Sequence, residues 1–348
     1  MSNYLQRRKF NEINLLDPFF NSLKEDYPDF EHWFKRKENE EAYILLNNNL
    51  LEGFLYLKYE NGPIQDVKPT INCNKALKIG TLKINPHGTR LGERFIKKAL
   101  DYAIIGNVDV CYVTIFEKHA ALLSLLEKYG FVRYGHKENV NGNELVLIKD
   151  LKRIKNDVLL DYPLINPNKK QKFILSIYPK YHSVMFPDSI LRNENVNILE
   201  DVTYTNSIHK TYVTRMPVNQ ANKGDIFIIY RTKTPGQSAE YTSVVTSVCV
   251  VEEVKGQNEF YNFDAFYNYA TTYSIFDKEE LRVWYNKGDC YAVKMTYNAA
   301  LSKRLIRKRL IQEIGLERNS YWGFFRLTDE QFYRILKEGG VSESIIIN

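Results

Sequence analysis

Apolar residues recur every third or fourth position in some stretches of this chain and run nearly unbroken in others, and the exchange between these two rhythms predicts an α+β protein. Phe19, Phe20 and Leu23, then Phe30, Trp33 and Phe34, predict two short helices after the pair Asp17-Pro18, and residues 11–16 before it predict an opening strand. Apolar runs at 42–46 and 51–59, joined by Asn47, Asn48 and Asn49, predict a hairpin. A third strand at 77–84 stops at Asn85-Pro86. Phe95, Ile96, Ala99, Leu100, Ala103 and Ile104 form one stripe of a helix whose other side carries Arg94, Lys97, Lys98 and Asp101. Residues 108–116 are a strand apolar on both faces. Leu122, Leu125, Leu126 and Tyr129 predict a further helix closed by Gly130, and strands at 131–134 and 144–148 flank the turn pair Asn141-Gly142.

Charges, Pro163, Pro167 and three asparagines (Asn156, Asn166, Asn168) then give residues 149–172 the texture of a linker. This predicts one domain at 1–152, a linker at 153–171 and a second domain at 172–348. The second half is strand-rich, with runs at 173–178, 210–215, 226–231, 241–254 and 290–297 and helices at 277–285, 301–314 and 329–337. Asp277 with Glu280, and Thr328 with Gln331, carry the side chains of capping boxes.

Composition narrows the class of protein. At 348 residues the chain exceeds the size of a usual single core, and 44% hydrophobic with 26% charged residues describes a folded globular protein. The net charge of +6 is compatible with an anionic partner and too mild to identify one. Cys73, Cys111, Cys249 and Cys290 are far apart, which predicts neither a metal site nor a disulfide framework and fits a reducing, cytoplasmic location. Neither an apolar signal segment nor a run of about 18 apolar residues is found, so no membrane association is predicted.

The first candidate site is the segment from Leu82 to Phe95, in which a strand leads through His87, Gly88, Thr89, Arg90, Leu91, Gly92 and Glu93 into a helix. Free amides at a helix start, with the positive end of its dipole, suit a pyrophosphate, and glycine lets the anion approach closely. The plain alternative is ordinary turn chemistry. Residues 87–92 match the length of the Gln/Arg-x-x-Gly-x-Gly/Ala loop of the GNAT superfamily of N-acetyltransferases, with Gly92 on its last position, and residues 119–131, ending Leu-Leu-Glu-Lys-Tyr-Gly-Phe, align with that family's second signature. Across residues 10–151 the chain resembles that family. His87 and Arg90 depart from the loop pattern, His119 stands for an asparagine, and Leu126 stands where a tyrosine often protonates the leaving thiolate.

The resemblance implies a mixed sheet flanked by helices, acetyl-CoA as cofactor, amides from Gly88, Thr89, Arg90, Leu91, Gly92 and Glu93 on the pyrophosphate, and Leu82, Lys83 and Ile84 along the pantetheine. The strand at 108–116 falls where the family has one that splays from its neighbour. His119 is the nearest titratable candidate for the missing acid and for cofactor contact, with the alternative that it only begins a helix. Glu117 is a candidate base for the amine, or else a solvated surface carboxylate. Tyr129 is expected in the core.

From Lys172 on, the sequence resembles the PUA-like superfamily, nearer to its ASCH and EVE branches, on the turn Lys223-Gly224-Asp225 leading into the strand Ile226-Phe227-Ile228-Ile229-Tyr230. This implies a small β-barrel with helices and an RNA-binding surface. Lys303, Arg304, Arg307 and Lys308 fall on one face of the helix expected at 301–314, suited to phosphates or simply solvated. Tyr230, Tyr273, Trp284 and Trp322 are candidates to stack a base, most of them expected in the core. Three functions follow: acetyl transfer to an RNA, such as a tRNA or its aminoacyl amine; acetyl transfer to a protein or small amine; or RNA binding with an inactive first domain.

Overall fold

The computed structural model describes residues 5–85, 91–186, 207–272 and 276–347. The chain forms two compact units, Met1–Arg153 and Ile154–Asn348. No described helix is long and apolar enough to cross a membrane.

The first unit is built on a seven-stranded sheet in the order β1-β2-β3-β4-β5-β7-β6. Its strands are β1 (Gln6–Lys9), β2 (Glu41–Asn47), β3 (Leu50–Asn61), β4 (Lys75–Ile84), β5 (Val110–Ile115), β6 (Val132–Asn139) and β7 (Gly142–Asp150). Only β4 and β5 run parallel; the other neighbours are antiparallel. The helices are α1 (Asn21–Asp26), α2 (Phe30–Arg36), α3 (Leu91–Ile105) and α4 (Ala120–Lys128). The opening strand lies at β1 rather than at 11–16, because Phe10 turns out of the strand into the core under α1 and α2. There Phe10, Phe20, Phe34 and Phe54 pack edge-on and tilted with centroids 4.7–6.1 Å apart, a geometry that favours quadrupolar contact over flat stacking. Gly53 of β3 has no Cβ where Phe95 of α3 lies, since an added one would sit 2.3 Å from that ring.

The second unit holds a six-stranded sheet in the order β13-β8-β10-β11-β12-β9, with only β8 and β10 parallel. Its strands are β8 (Lys172–Ile177), β9 (His209–Thr214), β10 (Ile226–Arg231), β11 (Val244–Gly256), β12 (Tyr291–Ile306) and β13 (Phe324–Leu327). The helices are α5 (Pro179–Met185), α6 (Ala239–Thr242), α7 (Phe263–Thr271), α8 (Lys278–Asn286), α9 (Arg307–Gln312) and α10 (Asp329–Glu338). The barrel expected here is not closed: among the described residues the edge strands β13 and β9 do not pair with each other. The segment expected as a linker is folded onto this unit. Tyr162 is buried and its hydroxyl donates to the Tyr297 carbonyl at 3.0 Å, and Ile165 bridges to Ile346.

The helix expected at 301–314 is corrected. Residues 301–306 continue β12, whose β-branched and apolar positions pair with β11 as far as Ile306↔Val244, and only Arg307–Gln312 is helical. The capping box at Thr328 forms both of its bonds, 3.1 and 3.0 Å, and the Asp277 carboxylate accepts from the amides of Glu279 and Glu280 at 2.9 and 3.2 Å.

Candidate functional site

The ladder between β4 and β5 runs from Ala76↔Val110 to Ile79↔Val113 and ends there. β4 continues to Ile84 with β3 as its ladder partner, and β5 continues to Ile115 with β7 as its own. The two strands therefore part after four pairs. A cleft of about 1110 Å³ opens between residues 78–85 on one wall and residues 113–115 with 118–122 on the other. On a strand that has lost one neighbour, the N–H and C=O groups aimed at that side are available to a ligand.

The cleft reaches the start of the 15-residue helix α3, where Gly92 and Glu93 line it. Leu91 is buried beside them, while Gly88, Thr89 and Arg90 lie outside the described residues. Gly92 has a packing role of its own, because a Cβ there would meet Leu125 of α4 at 2.6 Å. Glu93 joins the same two helices through Lys128 at 2.8 Å. Of the residues expected along the pantetheine, Leu82, Lys83 and Ile84 all line the wall, and the Lys83 ammonium donates to Ser22 of α1.

His119 precedes α4 and lines the cleft, with Nε2 3.1 Å from the Asp26 carboxylate, whose other oxygen takes Lys118. Asp26 is nearly buried, at 10% side-chain exposure, so it can fix the ring's orientation and tautomer. The other candidate fares differently. Glu117 is 72% exposed in an ion pair with Arg133 at 3.2 Å and does not line the cleft. Leu126 and Tyr129 are fully buried, so the leucine at the acid's usual position faces core and offers no proton.

Three tyrosine–glutamate pairs each place at least one member on the cleft, through Tyr27 and Glu144, Tyr56, and Glu60. Tyr27 donates to Glu144 at 2.6 Å, with the second Glu144 oxygen accepting from Asn139 at 2.7 Å; Tyr56 donates to Glu40, and Tyr112 to Glu60. Burial, then the adjoining carboxylate, pushes each phenol above its ordinary range, so all three remain protonated donors. Burial pushes the Glu60 carboxyl up as well, but its bonds to Tyr112 and Lys58 outweigh that and hold it below the usual range. Asp26, Tyr27, Glu60 and Glu144 carry no local sequence signal: His119 reaches Asp26 across 93 residues and Tyr27 reaches Glu144 across 117. No group of three His, Cys, Asp or Glu among the described residues gathers to hold a metal ion.

In the second unit the residues expected to bind RNA separate. Lys303 is exposed and Arg304 half-buried on β12, whereas Arg307 and Lys308 open α9, so they do not share one helical face. Tyr230 and Trp322 are buried against each other with centroids 5.3 Å apart, and the Arg307 guanidinium lies 4.4 Å over the indole. Trp284 is half-buried and packs on Tyr181 and Phe276 at 6.2 and 5.7 Å. These rings are spent on the core and on an arginine instead of standing free for a base. Tyr273 lies outside the described residues.

No protein-family model matches the sequence, and no curated protein matches it. Solved structures resemble the chain over about half its length, and they include N-acetyltransferases and ASCH domains. The ASCH protein of Zymomonas mobilis matches at 10% identity over 48% of this chain and 94% of its own, with a TM-score of 0.34. A putative phosphinothricin N-acetyltransferase matches at 20% identity over 42% and 98%, TM-score 0.31, and the N-acetyltransferase PseH of Campylobacter jejuni, solved in complex with acetyl coenzyme A, at 13% over 42% and 99%, TM-score 0.28.

Proposed function

We propose that the first unit is an acetyl-CoA-dependent N-acetyltransferase. The observation that carries this reading is the parting of β4 from β5 after Ile79↔Val113, which opens a cleft running along a half-paired strand edge to the start of a long helix. A long arm ending in a diphosphate fits that shape. The open edge at residues 80–84 suits the amides of a pantetheine, and the α3 N-terminus with Gly92 suits the diphosphate. Acetyl-CoA, when bound, supplies the thioester whose acetyl group an amine takes.

The chain's own residues then have to orient the acceptor and move protons. With Nε2–H donated to Asp26, the His119 Nδ1 is the lone-pair nitrogen, able to take a proton and return it. Tyr27, held protonated by burial and by Glu144, is a donor and not a base. Positioning supplies much of the remainder, since attack by a neutral amine on a thioester needs little beyond alignment. Titration calorimetry with coenzyme A tests the reading on the whole protein, followed by transfer of labelled acetyl groups to amines of a cell extract. Saturable binding with transfer is expected, and the absence of any binding rejects the enzyme.

An RNA acceptor is the finer form of the proposal. Its support in the second unit is now Lys303, Arg304, Arg307 and Lys308 at the β12–α9 junction, without the stacking aromatics. Gel-shift of the full chain with bulk tRNA over a salt series tests it, with salt-sensitive retardation expected. Retardation without coenzyme A binding selects an RNA-binding protein with an inactive first unit; transfer without retardation selects a protein or small-amine acceptor.

A further inference from the structure

We propose that Lys78 is an internal acceptor, taking an acetyl group on its own side chain from an acyl thioester bound in the cleft. The inference rests on the N-acetyltransferase reading above and adds a substrate that the chain itself provides. Lys78 sits on β4 opposite Tyr112 of β5, one residue before the last pair of the ladder, so it stands at the crotch where the two strands part. It lines the cleft with a side chain only 18% exposed.

Its surroundings leave that ammonium weakly held. Asp66, its nearest carboxylate, is 3.9 Å away and already bound by Lys137 at 2.5 Å. Glu60 is taken by Lys58 at 3.0 Å and by Tyr112. Lys58 and Lys137 add like charge, and Tyr112 presents only its ring, 5.4 Å from the nitrogen. Burial, then Lys137, draws the Lys78 pKa below that of an ordinary lysine, which enlarges the neutral, nucleophilic fraction.

The chemistry balances with the thioester as sole co-reactant. Lys78 first gives one proton to water in the cleft. The Nζ lone pair then forms a bond to the thioester carbonyl carbon while the carbon–sulfur bond breaks toward sulfur, and the remaining extra proton on nitrogen passes to the thiolate. The products are an amide on Lys78, a free thiol and one proton in solution.

The test compares two lysines of the unaltered protein. Lys68 is 69% exposed, so acetylation by collision with dissolved thioester favours it over Lys78. Full-length protein is incubated with acetyl-CoA, digested, and both sites are followed by mass spectrometry, with a parallel calorimetric titration of coenzyme A. Acetyl is expected on Lys78 at least about tenfold faster than on Lys68, through delivery by the cleft, with the preference lost after heat denaturation. With pH, the Lys78 rate is expected to level off below the range of an ordinary lysine. Coenzyme A binding with Lys78 labelled no faster than Lys68 overturns this inference and leaves the enzyme reading standing. Absence of coenzyme A binding removes both.

Discussion

Among the described residues each unit has one parallel strand pair, and the two pairs behave differently. In the second unit β8 and β10 stay paired along six positions, from Lys172↔Ile226 to Ile177↔Arg231, and every residue of both strands is buried. In the first, β4 and β5 hold four positions and separate, and residues 81–84 of β4 are only half-buried. A parallel pair persists where both faces are covered by packed side chains. β4 departs from that condition at Lys78, Gly80 and Lys83, two charges and a position where the Tyr56 ring lies so close that a Cβ would meet it at 2.7 Å. The second unit keeps polar groups near its closed pair but seals them, as with His182, whose Nε2 meets Thr246 at 2.8 Å and whose Nδ1 has no hydrogen-bond partner among the described residues. An open site and a closed core thus come from the same ladder type, decided by what the side chains can cover.

The largest expected effect bears on the open pair. His119→Ala is expected to lower the rate of acetyl transfer by about 10²- to 10⁴-fold with coenzyme A affinity little changed, and Asp26→Asn to lower it in the same direction by disturbing the ring's tautomer. Equal turnover in the His119 variant removes the histidine from the mechanism. Next comes packing. Leu175→Ala, in the closed pair, is expected to cost about 2–5 kcal/mol, while Leu82→Ala at the cleft wall costs less than about 1 kcal/mol, as read from urea unfolding. Similar losses at both positions contradict the contrast between the pairs.

A third expectation concerns pH. Burial, with Arg231 and Arg304 adding to it, pulls the His182 pKa from 6.5 down to about 3. The unfolded chain therefore binds more protons in that window, so the contribution of His182 to stability is full above about pH 6.5 and fades as pH falls toward about 3, by up to about 1.4 kcal/mol per pH unit. His182→Gln is expected to flatten the acid limb of the urea midpoint against pH, and an unchanged limb rejects the assignment. The smallest effect is at Glu117. Its exposed ion pair predicts that Glu117→Gln changes transfer by no more than about twofold, and a larger loss returns it to the list of candidate bases.

Local rhythm made much of the fold legible. The stripe of Phe95, Ile96, Ala99 and Leu100 marked α3, Gly130 and Gly142 marked turns at positive φ, and Asp277 and Thr328 marked helix starts. Leu82, Lys83 and Ile84 were singled out by the family resemblance rather than by local rhythm, which gave only the strand that carries them, and they line the cleft. Misreadings arose where neighbours far along the chain overrode local pattern. Residues 301–306 carry basic and apolar residues at helical spacing, yet pairing with β11 draws them into β12.

By itself the sequence determined most strands and helices of the first unit, several caps and turns, and which residues stand next to the glycine turn, because those depend on contacts a few residues apart, whereas α5, α7 and β13 were not legible in it. The tertiary structure alone decided at which pair β4 and β5 part, that Asp26 meets His119 and Glu144 meets Tyr27, and that the Arg307 guanidinium lies over Trp322. Those outcomes depend on which distant side chains compete for the same space and charge, and no window of sequence contains both partners.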